Sequence, residues 1–323
     1  MSSQTVAIVS DIHYAGEAEQ AGYQRRPQTV KNPFARLAIR SFRDYVWLRN
    51  PTGQNHLLHQ FFNRAPQTDL VIANGDFSCD IHCVGLSDDA SFASARLCLD
   101  QLRHRFGDRL HLTIGDHELG KVSMVGARGG PRLQSWQRAT AELALKPFWQ
   151  VEAGRYILMG VTSTLGAWPV YHDEGLPEEV ARWEELRRIH LAEIRAAFAR
   201  LRPHQKVILF CHDPTALPYL YCEPAIRERV QQIERTVIGH LHSPTLLNLA
   251  RMLSGMPRVN FLGAGVRRLS IALRQAKLWN AFRVTLCPSL AGTELLKDGG
   301  FLTLILSDNP AEPAQIQPHE IRR

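Results

Sequence analysis

The chain has 323 residues, 45% hydrophobic and 21% charged, an ordinary globular composition with enough length for a full core. A formal net charge of +7 and a pI of about 9.3 favour anionic partners: nucleic acid, anionic lipid or phosphorylated substrates. Disorder and a fibre are excluded by composition, and a membrane span by apolar runs far shorter than the ~20 residues it needs.

Short runs rich in Val, Ile and Leu predict buried strands over 6–10, 70–73, 110–114, 156–161, 206–211, 236–238, 258–262 and 301–306. A strand so near Met1 leaves no room for a signal peptide, so a cytoplasmic location is expected. One helix is predicted from Ser87 to about Arg105, with Asp88 and Asp89 in its first turn. Another opens on Pro177, Glu178 and Glu179 and ends near Leu201, with Trp183, Leu186, Ile194, Ala197, Phe198 and Leu201 on one face. Strands separated by helix-length gaps imply an α/β architecture. Without repeats or a Ser/Gly linker, a single domain over 1–323 is expected, with insertions at about 17–60 and 266–298. Cys79, Cys83, Cys98, Cys211, Cys222 and Cys287 lack paired zinc spacing and read as reduced thiols.

Five predicted strands run straight into Asp or His. The first is followed by Asp11-Ile12-His13, the second by Gly75-Asp76, and the third by Gly115-Asp116-His117-Glu118. Strand 206–211 is followed by His212, and 236–238 by Gly239-His240-Leu241-His242. In open α/β sheets the crevice beyond the carboxyl ends of strands binds ligands. Mixed carboxylate and imidazole donors suit Mn, Fe, Zn or Ni, and seven of them are too many for one ion but suitable for two. The glycines before Asp76, Asp116 and His240 are expected to make sharp turns that aim the next side chain into the cleft.

From Asp11 to His242 the chain resembles the calcineurin-like metallophosphoesterase superfamily, whose order is D-x-H, G-D, G-N-H-[DE], H, G-H-x-H, with Asp116 at the asparagine position. The resemblance implies a sandwich of two mixed sheets flanked by helices, here with basic helical insertions. It implies one divalent ion, expected to be Mn, held by Asp11, His13, Asp76 and His242. A second would be held by Asp76, Asp116, His212 and His240, with Asp76 bridging. The ions would stand roughly 3.5–4 Å apart and activate a water for in-line attack on phosphorus. His117 would meet the leaving oxygen or the transition-state charge. Glu118 is expected to orient His117 by a hydrogen bond.

Asp116 departs from the family's asparagine. It keeps a ligand oxygen, loses the amide that can reach the scissile phosphate, and adds a negative charge. The scissile phosphate is then expected to be held by nearby arginines, and Lys121, Arg128 and Arg132 of the following glycine-rich loop are expected to grip a second phosphate.

Residues 25 to 49 carry Arg25, Arg26, Lys31, Arg36, Arg40, Arg43 and Arg49 against the single acid Asp44. Phe34, Leu37, Ala38, Phe42, Tyr45 and Leu48 fall on one helical face, with Arg36, Arg40 and Arg43 opposite and Trp47 close to that stripe. Such a basic amphipathic helix reads as a membrane-surface element. A second basic segment, 267 to 297, interleaves Leu269, Ile271, Leu273, Leu278, Trp279, Phe282 and Val284. With these insertions, its size and the loop after residue 118, the chain resembles the chlamydial-type UDP-2,3-diacylglucosamine pyrophosphatases of lipid A synthesis. That resemblance implies cleavage of a lipid-linked nucleotide to lipid X and UMP at the cytoplasmic membrane face. The other readings are a soluble cyclic-nucleotide or general phosphodiesterase, and a nuclease using its charge on nucleic acid. A scaffold resembling the retromer subunit of the superfamily would be expected to have lost ligands, and none is lost here.

Overall fold

A computed structural model describes residues 3–24, 33–123, 128–259 and 264–321. Among these residues, ten strands form two five-stranded sheets. In the first, β1 (Ser3–Val9), β2 (Leu70–Asn74) and β3 (Leu110–Thr113) run parallel, and β9 (Gly300–Ser307) and β10 (Gln315–Glu320) extend it antiparallel, in the order β10-β9-β1-β2-β3. The second has the order β4-β5-β6-β7-β8. Here β4 (Phe148–Ala153) is antiparallel to β5 (Tyr156–Val161), and β6 (Lys206–Cys211), β7 (Ile233–Ile238) and β8 (Val284–Leu286) continue in parallel.

The alternation of side chains along each strand explains the layering. Val6 and Ile8 of β1 join Ile72, Leu158, Ile208, Phe210, Val237, Leu302 and Leu304 in the core between the sheets. Ala7, Val9, Val207, Leu209 and Cys211 point the other way, under helices on the outer faces. Strands buried on both sides read as continuous apolar runs, which is why they were predictable.

Asp88, rather than Ser87, caps the helix Asp89–Phe106: its Oδ2 accepts from Ser91 N at 2.9 Å. The helix Val180–Ala199 buries Trp183, Leu186, Ile194, Ala197 and Phe198 as expected. Of the predicted strand 258–262, residues 258 and 259 have no regular structure, and 260–262 lie outside the described residues. Strands β4, β8 and β10 lie outside the predicted runs. The last is a polar sheet edge that carries Pro318, a residue only an edge accommodates.

The second basic segment is largely structural. Leu273, Trp279, Phe282 and Val284 are core residues, while Leu269, Leu295 and Leu296 are exposed. Of the first segment, Arg25, Arg26 and Lys31 lie outside the described residues, as do the side chains of Arg36 and Arg43.

Candidate metal centre

All five predicted ligand motifs meet at the carboxyl ends of β1, β2, β3, β6 and β7. Asp11, His13 and His242 form one group whose ligand atoms lie within 4.8 Å of one another; Asp116, His212 and His240 form another. Asp76 lies between them. It groups with Asp11 and His212 on one side and with His13 and His117 on the other. Its Oδ2 is 3.1 Å from His212 Nε2 and 3.7 Å from His117 Nε2. Asp116 Oδ1 stands 3.1 Å from His212 Nε2 and 2.9 Å from His240 Nδ1, and His242 Nε2 stands 3.3 Å from Asp11 Oδ1.

The backbone is wound tightly to achieve this. Asp11, His13, Asp76, His240 and His242 all have φ between 48° and 60°, the left-handed region that non-glycine residues avoid. In D-x-H and H-x-H alike, both flanking residues are left-handed, which turns both side chains to one side. Of the glycines, Gly75 does need its positive φ of 88°. Gly239 serves close approach instead: a Cβ there would stand 2.1 Å from Ser10 Oγ and 2.4 Å from Asp11 Oδ2.

Backbone carbonyls orient the rings. Ser78 O lies 3.3 Å from His13 Nδ1 and 3.1 Å from His117 Nδ1, and Asn74 O lies 2.6 Å from His212 Nδ1. With Nδ1 engaged, Nε2 of each ring faces the cleft. Glu118 does not reach His117. Its Oε1 accepts from Phe77 N at 2.8 Å, and its Oε2 from Asp76 N at 3.0 Å and Gly115 N at 2.8 Å. It therefore ties the turn carrying Asp76 to the turn carrying Asp116.

Electrostatics divide the imidazoles. Burial pushes His117 down to about 3, so that ring is neutral, and burial with the neighbouring His13 holds His242 well below the usual range. Burial also opposes the charge on His212 and His240, but carboxylates outweigh it: Asp76 and Asp11 raise His212, and Asp116 and Asp213 raise His240. Asp213 was not anticipated. It is buried, accepts from Tyr171 Oη at 2.5 Å and from Thr215 N at 2.8 Å, and lies 3.9 Å from His240 Nε2. Its one signal was an acid directly after His212.

Of the three predicted loop cations, Lys121 alone reaches the ligands, with Nζ 3.1 Å from Asp116 Oδ2. Arg128 is exposed, and Arg132 folds back onto its own loop, donating to Pro131 O and Gly129 O. Arg268, also unanticipated, pairs with Glu174 at 3.2 Å and lies over the Tyr171 ring.

The donor set fits two divalent ions. Asp76 Oδ2 and His212 Nε2 are buried without a hydrogen-bond partner, a debt that a cation between them would settle. Mixed oxygen and nitrogen donors suit a borderline metal.

Residues 4–244 match the calcineurin-like phosphoesterase family. No curated protein is similar in sequence. Among solved structures, a dimetal phosphatase from Danio rerio is similar at 13% identity and a TM-score of 0.50, over 98% of this chain and 95% of that one. A purple acid phosphatase from yellow lupin (Lupinus luteus) seeds is similar at 12% identity and a TM-score of 0.44, over 99% of this chain and 52% of that one. The family match covers more than half the chain and includes every ligand motif, so this protein belongs to the calcineurin-like phosphoesterase family and is a metal-dependent phosphohydrolase.

Proposed function

We propose that the substrate is an amphiphilic phosphate, and specifically that the chain cleaves the pyrophosphate bond of UDP-2,3-diacylglucosamine to lipid X and UMP, with Mn²⁺, at an anionic membrane surface. The observation that carries this reading is an apolar path from the protein surface to the metal ligands. On the helix Pro33–Phe42, Phe34 is 81% and Leu37 63% exposed, and Phe42 and Tyr45 are exposed beyond them. The Trp47 ring then stacks on Phe42 at 6.4 Å and lies 4.7 Å from the His242 ring. Backbone N–H groups of Glu294 and Leu295 donate to the carbonyls of Trp47 and Val46, at 2.7 and 3.3 Å, and bring exposed Leu295 and Leu296 alongside.

A patch of this kind is costly in water and is relieved by lipid. The excess of Lys and Arg in residues 25 to 49 would add roughly 1 kcal/mol per basic residue near an anionic surface. Among the described residues no helix is long and apolar enough to cross a membrane, so contact of this kind would be peripheral.

When bound, the two ions supply Lewis acidity and an activated water. The chain's own contribution is positioning and proton handling. Ser78 fixes the His13 and His117 rings together, and neutral His117 presents Nε2 to the cleft, where it can hold or pass a proton.

The first test is a Mn²⁺-supplemented assay against UDP-diacylglucosamine, a cyclic nucleotide and single-stranded DNA. The second changes Arg36, Arg40 and Arg43 together to Glu, or Phe34 and Leu37 to Ser. Either set should release the protein from anionic vesicles and raise KM for the lipid substrate, while bis-p-nitrophenyl phosphate is hydrolysed at nearly the wild-type rate. Equal damage to both substrates would make the segment structural and favour a soluble phosphodiesterase.

A further inference from the structure

Asp116 and Lys121 divide between them what a single amide does. We infer that they act as one neutral unit: Asp116 Oδ1 is the metal ligand, Asp116 Oδ2 anchors the Lys121 ammonium, and that ammonium donates to the substrate phosphate. The inference rests on the metal centre and not on whether the substrate carries lipid.

The two oxygens of Asp116 face different partners. Oδ1 lies with the imidazoles, 3.1 Å from His212 Nε2 and 2.9 Å from His240 Nδ1, while Oδ2 lies 3.1 Å from Lys121 Nζ. An amide would offer one oxygen and one NH₂ with no net charge. The carboxylate–ammonium pair offers one oxygen and a charged donor, again with no net charge. A lysine ammonium has three protons. One serves Oδ2, which leaves two for a ligand, and the side chain is still 25% exposed.

The backbone holds Lys121 to this task. Gly120 N donates to Asp116 O at 2.9 Å, closing the short helical turn Asp116–Leu119, and Gly120 then reverses the chain at φ 96°. A Cβ there would meet Gly130 O at 2.5 Å, so the return strand lies directly against the turn. Val122 bridges Gly129, Gly130 N donates to Cys83 O at 2.9 Å, and Arg132 N donates to Leu119 O at 3.1 Å. Among the described residues, Arg132 is committed to its own loop, Arg267 to Asp173 and Arg268 to Glu174.

The pair is testable as a double-mutant cycle on the folded, metal-loaded protein, using Mn²⁺ binding and inhibition by inorganic phosphate as readouts. Lys121→Met should keep two Mn²⁺ per chain and raise the inhibition constant of phosphate by about 10- to 100-fold, the weight of one lost charge-assisted hydrogen bond. Asp116→Asn alone strands the ammonium beside a cation site and should weaken Mn²⁺ binding at one of the two sites by about tenfold or more. Combining Asp116→Asn with Lys121→Met restores neutrality and should return Mn²⁺ affinity to within a few-fold of wild type. If Lys121→Met does not fold, Lys121→Gln replaces it, one atom shorter, polar and without charge. Additive effects on Mn²⁺ affinity, or an unchanged phosphate constant in the Lys121 variant, would overturn the inference.

Discussion

Loading the metal-free protein with Mn²⁺ at neutral pH should expel about two protons per chain. The expected carriers are His212 and His240, whose carboxylate neighbours raise their pKa values despite burial. Both rings must bare a nitrogen to bind an ion, His212 at Nε2 and His240 at Nδ1. His117 and His242 are already neutral and should contribute none. Two protons released make the combined affinity for both ions rise by roughly 100-fold per pH unit below the raised pKa values. Calorimetric titration in buffers of different ionisation enthalpy counts the protons directly.

Stability should carry the same signature with opposite signs. The folded pKa values of these two histidines lie above the unfolded value of about 6.5. Their ion pairs therefore stabilise the metal-free fold fully below that pH and cease to do so as pH climbs through the raised values. Stabilisation by Mn²⁺ grows as its dissociation constant falls. As pH climbs from about 6.5 through the raised values, the Tm of the metal-free protein should drop while the gain in Tm on adding Mn²⁺ widens. A proton count near zero at pH 7 would refute the reasoning: either these rings are neutral without metal, or the ions bind elsewhere.

Asp76→Ala and His240→Ala should each abolish turnover in a folded protein, as judged by circular dichroism beside the activity assay; a tenth of wild-type rate remaining would contradict their roles. His117→Ala should lower kcat by roughly 10²–10⁴ with two ions still bound, and loss of an ion would make His117 a ligand, as its grouping with His13 and Asp76 allows. Glu118→Ala removes the acceptor of three buried N–H groups and should cost about 3–9 kcal/mol at ~1–3 kcal/mol each, read from the urea midpoint. A cost under about 1 kcal/mol would mean that water replaces the carboxylate without difficulty.

The sequence carried the ligand set because each ligand follows a buried strand directly, so an apolar run and the polar residue after it could be read together. Asp213, Tyr171 and Arg268 were not legible in that way. Their roles depend on contacts between residues more than forty positions apart, such as Tyr171 with Asp213. Glu118 shows the intermediate case: its importance was readable from its place after His117, but its partners were not, since two of its three donors come from the Asp76 turn. Strands β4 and β10 escaped because half of each faces solvent and breaks the apolar run. The segment 267 to 297 misled for the opposite reason, since its basic residues obscured a core contribution from Trp279 and Phe282.

The left-handed winding of Asp11, His13, Asp76, His240 and His242 has a consequence for how this protein can change over generations. Each such residue is held against its own preference at about 1–2 kcal/mol, so the catalytic machinery is a standing burden on the fold. A gene copy released from the need to bind metal would gain stability by losing its ligands. Asp to Gly, Asp to Asn and His to Asn are each a single base change, and Gly and Asn are the residues best suited to that backbone. Decay of activity would therefore be downhill and would begin at these five positions, leaving a sturdier sandwich with an empty mouth.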